Sequence, residues 1–334
     1  MRDLCRDYQV IGLDLKGDPH PPREAECATL DLTDDDSVRA VLQRIDYAYG
    51  PRIAAVVHLA AFVDFSAEDS PMYGKVTVRG TKRLLEQMHD HGFLCERFIF
   101  SSTMLVHRPT RPGEPINEHS PIEPKWGYPR SKVEAEEAIR EHAGDVPFAF
   151  LRIAGVYTDE GQAPTIAHQL KRIHERDLQS RVFPGDPSHG QSFVHIEDTV
   201  SAIRAAVDRR IDLPKQAVYL IGEPETYSYE QLQDAMGECL HGKAEWKTIR
   251  VPEAMAEVGA SVQERASVAP GVDEPFIKPF MVEMADDHYE LDISRAQRDL
   301  GWSPEHRLID AIPRMCEALK GDPDAWYAAH QMKG

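Results

Sequence analysis

Tyr128 and Lys132 stand four positions apart, and the β-rich apolar run before them ends in Ser101-Ser102-Thr103. On a helix, positions four apart share one face, so a phenol and an ammonium at this spacing point at the same small volume. A phenol with a pKa near ~10 is a poor base at neutral pH, and a nearby ammonium favours phenolate and lowers that value. Joined by a hydroxyl such as that of Thr103, the pair makes a proton relay for a carbinol or a carbonyl. An ordinary exposed helix face also carries such pairs, so the weight falls on the surrounding elements.

Short β-rich runs alternate here with helical stretches, the pattern of a doubly wound parallel sheet. Strands are predicted at residues 9–14, 28–32, 53–61, 97–101, 146–153, 193–196 and 217–221. Thr33 is predicted to cap a helix through residues 37–42; further helices carry Val78, Leu84, Leu85 and Met88 and span residues 128–141. The nearly continuous apolar run at 53–61 predicts a strand buried on both faces. The fold class is α/β, a Rossmann-type sheet with a smaller C-terminal substrate lobe. Residues 1–161 and 193–226 read as an N-terminally incomplete dinucleotide-binding domain. Residues 162–192 and 227–334 read as the substrate-binding lobe, at the C-terminal strand edge where ligands of open α/β sheets sit.

The 334 residues carry 56 Asp+Glu against 38 Lys+Arg, a formal net charge of −18. That balance disfavours nucleic acid and anionic membranes and leaves a small-molecule substrate as the expected partner. No apolar run reaches the roughly 18 residues needed to cross a bilayer, and the N-terminus lacks a signal-peptide core, so a cytoplasmic location is expected. The five cysteines form no C-x-x-C pair, and His168, His174, His189 and His195 lack a coherent ligand spacing. Neither disulfides nor a metal site is expected.

Val57-His58-Leu59-Ala60-Ala61, Gly80-Thr81, the hydroxyl-ended strand, Tyr-x-x-x-Lys, Leu151-Arg152, the run from Phe193 to Asp198 and Leu300-Gly301-Trp302-Ser303-Pro304 follow one another in this order. The layout resembles the extended short-chain dehydrogenase/reductases, the NAD-dependent epimerase/dehydratase family, along most of the chain. The resemblance implies that Tyr128 is the general acid/base, that Lys132 holds the nicotinamide ribose and keeps Tyr128 acidic, and that Thr103 hydrogen-bonds the substrate oxygen. It leaves the hydride chemistry to the cofactor. Asp14, at a strand end, would accept from the adenosine ribose hydroxyls and repel a 2′-phosphate, so NAD is expected, while Lys16 leaves NADP open. Asp31 and Leu32 match the pair beside the adenine; Leu59, Ala60 and Ala61 match the small-residue turn against the cofactor, and Ser101 joins this cofactor-binding set. Asp64, followed by Phe65-Ser66, and His189 and Gln191 are candidate substrate contacts. The family also implies a homodimer through helices at about 71–91 and 128–141.

Departures from the family pattern bear on the reaction. No three glycines occur at Rossmann spacing, and residues 1–7 read as the tail of a first helix. The first strand and its Gly-rich loop are therefore expected to precede the sequence as given or to be replaced. Thr77 and Gly155 stand where the family has Asn. Met104-Leu105 follow Thr103 in place of the dehydratases' acidic pair, which disfavours elimination. The segment 281–288 holds three acids and no arginine, which would repel a diphosphate unless Arg181, Arg265 or Lys278 substitutes. The leading expectation is an NAD-dependent oxidoreductase or epimerase of a secondary alcohol or ketone. The alternatives are a nucleotide-sugar epimerase and a non-catalytic dinucleotide-binding protein of the same fold.

Overall fold

The computed structural model describes residues 1–15, 22–64, 70–251, 282 and 284–332; Lys16, Phe65, Ser66, Arg265 and Lys278 lie outside the described residues. The first half of the chain supplies β1 (Ile11–Asp14), β2 (Glu26–Thr29), α1 (Asp35–Tyr49), β3 (Arg52–Ile53), β4 (Val56–His58), α2 (Arg79–Asp90), β5 (Leu94–Cys95), β6 (Phe98–Thr103), α3 (Gly127–His142), β7 (Phe148–Ile153) and β8 (Gly155–Tyr157). The second half supplies α4 (Pro164–His174), β9 (Val182–Phe183), β10 (Phe193–His195), α5 (Ile196–Asp208), β11 (Gln216–Ile221), α6 (Tyr229–His241), β12 (Ile249–Arg250), α7 (Ser294–Leu300), α8 (Leu308–Gly321) and α9 (Pro323–Ala329).

The central sheet has the order β11-β7-β6-β4, with every pair parallel. Parallel neighbours need crossovers, and α3 provides the one from β6 to β7. Side chains alternate across the sheet as a period of two requires. Phe98, Phe100, Phe148 and Phe150 face a core shared with α1, α2 and α3, while Ile99, Ala149, Leu151 and Tyr219 face one shared with α5 and α7. A third core joins α4, α6, α8 and α9. Arg97, at the entrance to β6, is almost fully buried, and its guanidinium donates to the carbonyls of Phe148, Arg210, Leu213 and Pro214. It ties the start of the central strand to the turn before β11.

Three sequence expectations shift. The second strand spans Glu26–Thr29 and not 28–32, because the Asp31 carboxylate accepts from the Thr33 amide and turns the chain. The cap of α1 is Asp34, which accepts from Asp36 N, and not Thr33. The apolar run 53–61 divides into β3 and β4 around Ala54-Ala55, and it is not buried on both faces: Val56 and Val57 are half-buried and Leu59 is 56% exposed. Among the described residues β4 pairs only with β6 and β1 only with β2, so each keeps an edge without a strand neighbour. Residues 1–7 hold a single 3-10 turn, Leu4–Arg6, docked on α5 where Arg204 meets Asp3 and Asp7.

No helix among the described residues is long and apolar enough to cross a membrane. Two close contacts test the packing. A Cβ on Gly80 in α2 would sit 2.9 Å from Leu32 Cβ. Gly80→Ala is expected to lower stability by about 1–3 kcal/mol in urea denaturation, an overpacking cost; an unchanged midpoint would show that α2 can shift. Glu223, after β11, is 1% exposed, accepts from Leu308 N at 2.9 Å, and is pushed by burial up to about 7. Its unfolded value is near ~4.3, so the folded state holds the proton longer, and stability is lost as pH rises between the two values. Between pH 5 and 8 the wild type is expected to lose about 3 kcal/mol more than Glu223→Gln, and equal pH slopes would refute the assignment.

Candidate active site

The C-terminal end of β6 and the first turns of α3 form the site. Pro129 is accommodated because it lies in the first turn, where its missing N–H costs nothing, so the helix starts at Gly127 and carries Tyr128 and Lys132 inward. Lys132 is buried; its Nζ donates to the Ser101 carbonyl at 2.6 Å and lies 4.7 Å from the Phe100 ring centre and 5.7 Å from that of Tyr128. Thr103 shares the strand face of Ser101, is buried, and accepts from Leu105 N at 3.3 Å, which leaves its hydroxyl proton for another acceptor. Ser101 Oγ donates to the His58 carbonyl at 3.3 Å, linking β6 to β4. Tyr128 is half-buried and tilts against Trp126, with ring centres 5.5 Å apart.

Two aromatic groups escaped the sequence reading. Trp126 precedes the Tyr-x-x-x-Lys pattern and had no periodic signal. Tyr73 opens a π-helical turn, Tyr73–Val78, ahead of α2; such turns shift the register of the face a helix presents and have no sequence signature. The Tyr73 hydroxyl donates to the Asp64 carbonyl at 2.8 Å, and Tyr73 is the charge neighbour that Tyr128 feels. The Asp64 backbone is thereby tied to Tyr73.

The electrostatics correct one expectation. Burial, with Tyr73 as the second cause, pushes the Tyr128 phenol up to about 12, so Lys132 does not make it acidic in this structure. Desolvation opposes phenolate, and the ammonium is turned onto the Ser101 carbonyl. Burial also lowers Lys132 to about 8, against the pull of Glu136. At neutral pH the site therefore holds a protonated phenol beside a cation. His58 is pushed down to about 3 by burial and by Lys132. Thr81 Oγ1 donates to the Thr77 carbonyl at 2.5 Å, so the neutral His58 ring donates from Nε2 to Thr81 at 2.8 Å.

On the cofactor side, Asp14 is exposed at the end of β1, and Asp31 is held below the usual carboxylate range by its hydrogen bonds from Thr33. The Leu32 side chain packs in the core against Gly80, and its carbonyl accepts from Arg83 Nη1 at 2.6 Å. Leu59 and Ala60 are exposed and Ala61 is half-buried, forming an apolar shelf at the C-terminal strand ends where α/β ligands lie. A strand-end carboxylate, this shelf and the Lys132 ammonium suit the two nucleoside ends of a dinucleotide. The family Asn positions have local explanations: Thr77 Oγ1 accepts from Phe62 N at 3.0 Å, and a Cβ on Gly155 would lie 2.8 Å from the Phe193 ring.

Of the expected substrate contacts, His189 Nδ1 meets the Asp286 carbonyl at 2.6 Å, and Gln191 bridges to Tyr289. The same segment pairs Asp287 with Lys125, which leads into α3. Arg181 is engaged over the Trp246 ring at 4.3 Å, and Arg250 pairs with Asp186 and Asp286. Among the described residues, His195, Glu197 and His306 bring possible ligand atoms within 4.8 Å of one another. One ring nitrogen of His195 caps α5. His195 Nδ1 accepts from Glu197 N at 3.3 Å, which puts the proton of the neutral ring on Nε2, and the ring stacks on His306 at 4.1 Å.

A family model described as GDP-mannose 4,6 dehydratase matches residues 11–315. The UDP-glucose 4-epimerase of Lactobacillus helveticus is 24% identical over 84% of this chain and 78% of its own length. Human 3 beta-hydroxysteroid dehydrogenase type 7 is 26% identical over 78% of this chain and 74% of its own. The crystal structure of UDP-glucuronic acid 4-epimerase from Bacillus cereus with UDP-glucuronic acid and NAD superposes with a TM-score of 0.67 at 21% identity, covering 96% of this chain and 94% of that one. The parallel sheet, the strand-end hydroxyls, the Tyr128–Lys132 face and a match across nine-tenths of the sequence agree: this chain belongs to the extended short-chain dehydrogenase/reductase family, in its NAD-dependent epimerase/dehydratase group.

Proposed function

We propose that the protein is an NAD-dependent oxidoreductase acting at a secondary-alcohol carbon, most simply as an epimerase that oxidises and re-reduces one carbon of a nucleotide sugar. The observation that supports this reading is the Lys132 ammonium, which lies on the Ser101 carbonyl at 2.6 Å and 5.7 Å from the Tyr128 ring centre. NAD, when bound, supplies the hydride acceptor and donor. Asp14 would accept from its adenosine ribose, Leu59 and Ala60 would line its path, and Lys132 would hold its nicotinamide ribose. Tyr128 Oη exchanges a proton with the substrate oxygen, which the Thr103 hydroxyl fixes by a hydrogen bond. Tyr73 and Trp126 exclude water from that phenol. Because the phenol rests protonated, its ground-state role is that of the acid in the reduction half of the cycle.

Met104, buried after Thr103, leaves the acid pair of an elimination without a place in the sequence, which favours epimerisation or simple oxidation over dehydration. A second reading, dehydrogenation of an uncharged alcohol, is favoured by the steroid dehydrogenase relative and by the acids of residues 286–287, whose basic neighbours Lys125 and Arg250 are already paired. We assign residues 162–192 and 227–334 to substrate binding, with His189, Gln191 and Asp64 as contacts, and α2 and α3 to a homodimer interface.

Tyr128→Phe is expected to reduce turnover by roughly 10²- to 10⁴-fold while NAD binding, read by calorimetry, is kept; undiminished turnover would sink the relay. In the same titration NAD is expected to bind more tightly than NADP, and Asp14→Ala to narrow that preference. A preference for NADP in the wild type would refute the role of Asp14.

A further inference from the structure

We infer that Glu136 is a positioning residue for Lys132, acting through Ser102: it locks the end of β6 to α3 and so keeps the Ser101 carbonyl on the lysine ammonium. The inference rests on reading Tyr128 and Lys132 as the reacting pair. Glu136 lies one turn beyond Lys132 on the same helix, and Ser102 lies one residue beyond Ser101 on the same strand. The bond from Ser102 Oγ to Glu136 Oε1, 2.7 Å, and the bond from Lys132 Nζ to Ser101 O, 2.6 Å, are thus adjacent rungs between one strand and one helix. A change in the first moves the second.

The lower rung is built to stay in place. Arg152, opposite Ser102 in the β6–β7 register, donates to Glu136 through Nε at 3.0 Å and Nη2 at 2.7 Å, and Arg140 adds a bond at 3.1 Å. The third Arg152 nitrogen, Nη1, donates to His107 Nε2 at 3.0 Å, and His107 Nδ1 donates to the Ser120 carbonyl at 3.1 Å. Ser102, His107, Glu136 and Arg152 are all buried. A buried ion pair of this kind is weak support for stability, since desolvation offsets most of its attraction. Its geometric effect is specific: one carboxylate fixes two strands and the helix that carries Lys132. The groups facing Lys132 are Tyr128 and Glu136 on its own helix, neutral His58 on β4, and the Phe100 ring and the Ser101 carbonyl on β6. Of these, the carbonyl, the carboxylate and the Phe100 ring face favour the ammonium.

Glu136→Gln leaves Arg152 buried without its countercharge, so the informative variant is Ser102→Ala, which keeps the ion pair and removes only the rung. The Lys132 side chain is titrated by NMR in protein with 13Cε-labelled lysine, assigned with Lys132→Arg, and the pH dependence of kcat is recorded with NAD. Losing a fixed acceptor weakens the charged form, so the Lys132 midpoint is expected to fall, corresponding to about a 3-fold change in its protonation equilibrium. The alkaline limb of kcat should follow it to lower pH, with KM unchanged. An unmoved Lys132 midpoint in folded Ser102→Ala, whatever the change in melting temperature, overturns the inference. A shifted midpoint in a protein whose turnover survives Tyr128→Phe supports the positioning role and overturns the relay instead.

Discussion

Strand β6 is hydrogen-bonded along both edges and packed on both faces, and the site depends on that confinement. Its partners β4 and β7 fix its register, aromatic rings press on one face and aliphatic side chains on the other, and Arg97 pins its entrance. Its far end, Ser101–Thr103, stays paired with β7, and Ser101 Oγ donates to the His58 carbonyl at the end of β4. Ser101, Ser102 and Thr103 therefore emerge at defined positions, and α3, crossing over to β7, has one place to lay its first two turns.

Burial has a second effect, on charge. The corner that positions Tyr128 and Lys132 also strips water from them, and desolvation moves both away from the ionised forms. Proximity of an ammonium to a phenol is thus insufficient for an acidic phenol. The direction of the ammonium matters, and here a backbone carbonyl holds it. The resting pair is a proton donor with a cation beside it, a state suited to protonating a developing alkoxide.

Much of this was legible in the sequence, because the informative signals were local. The alternation of strands and helices, the Tyr128–Lys132 spacing and the strand-end hydroxyls all express periodicities of two and 3.6, and they appear as β6 and α3. What escaped were tertiary effects. The packing of the Leu32 side chain against Gly80 joins residues 48 positions apart, which no local motif encodes. Tyr73 reaches the site through a π-helical turn, and Glu136 through a partner on a strand distant in sequence. The half-exposure of 53–61 depends on which strands lie beside it, and apolar content alone could not report that.

The two-stranded sheet β1–β2 shares no strand pairing with the central sheet among the described residues. Asp14 stands on the former and Lys132 beside the latter, so no strand pairing fixes their separation. On the proposed reading one dinucleotide would reach both, and the ligand would act as a splint between two sheet fragments. Cofactor affinity and the rigidity of this edge would then be one quantity seen from two sides, since a ligand that favours the aligned arrangement stabilises it by its own binding free energy. The cofactor would belong to the architecture as well as to the chemistry.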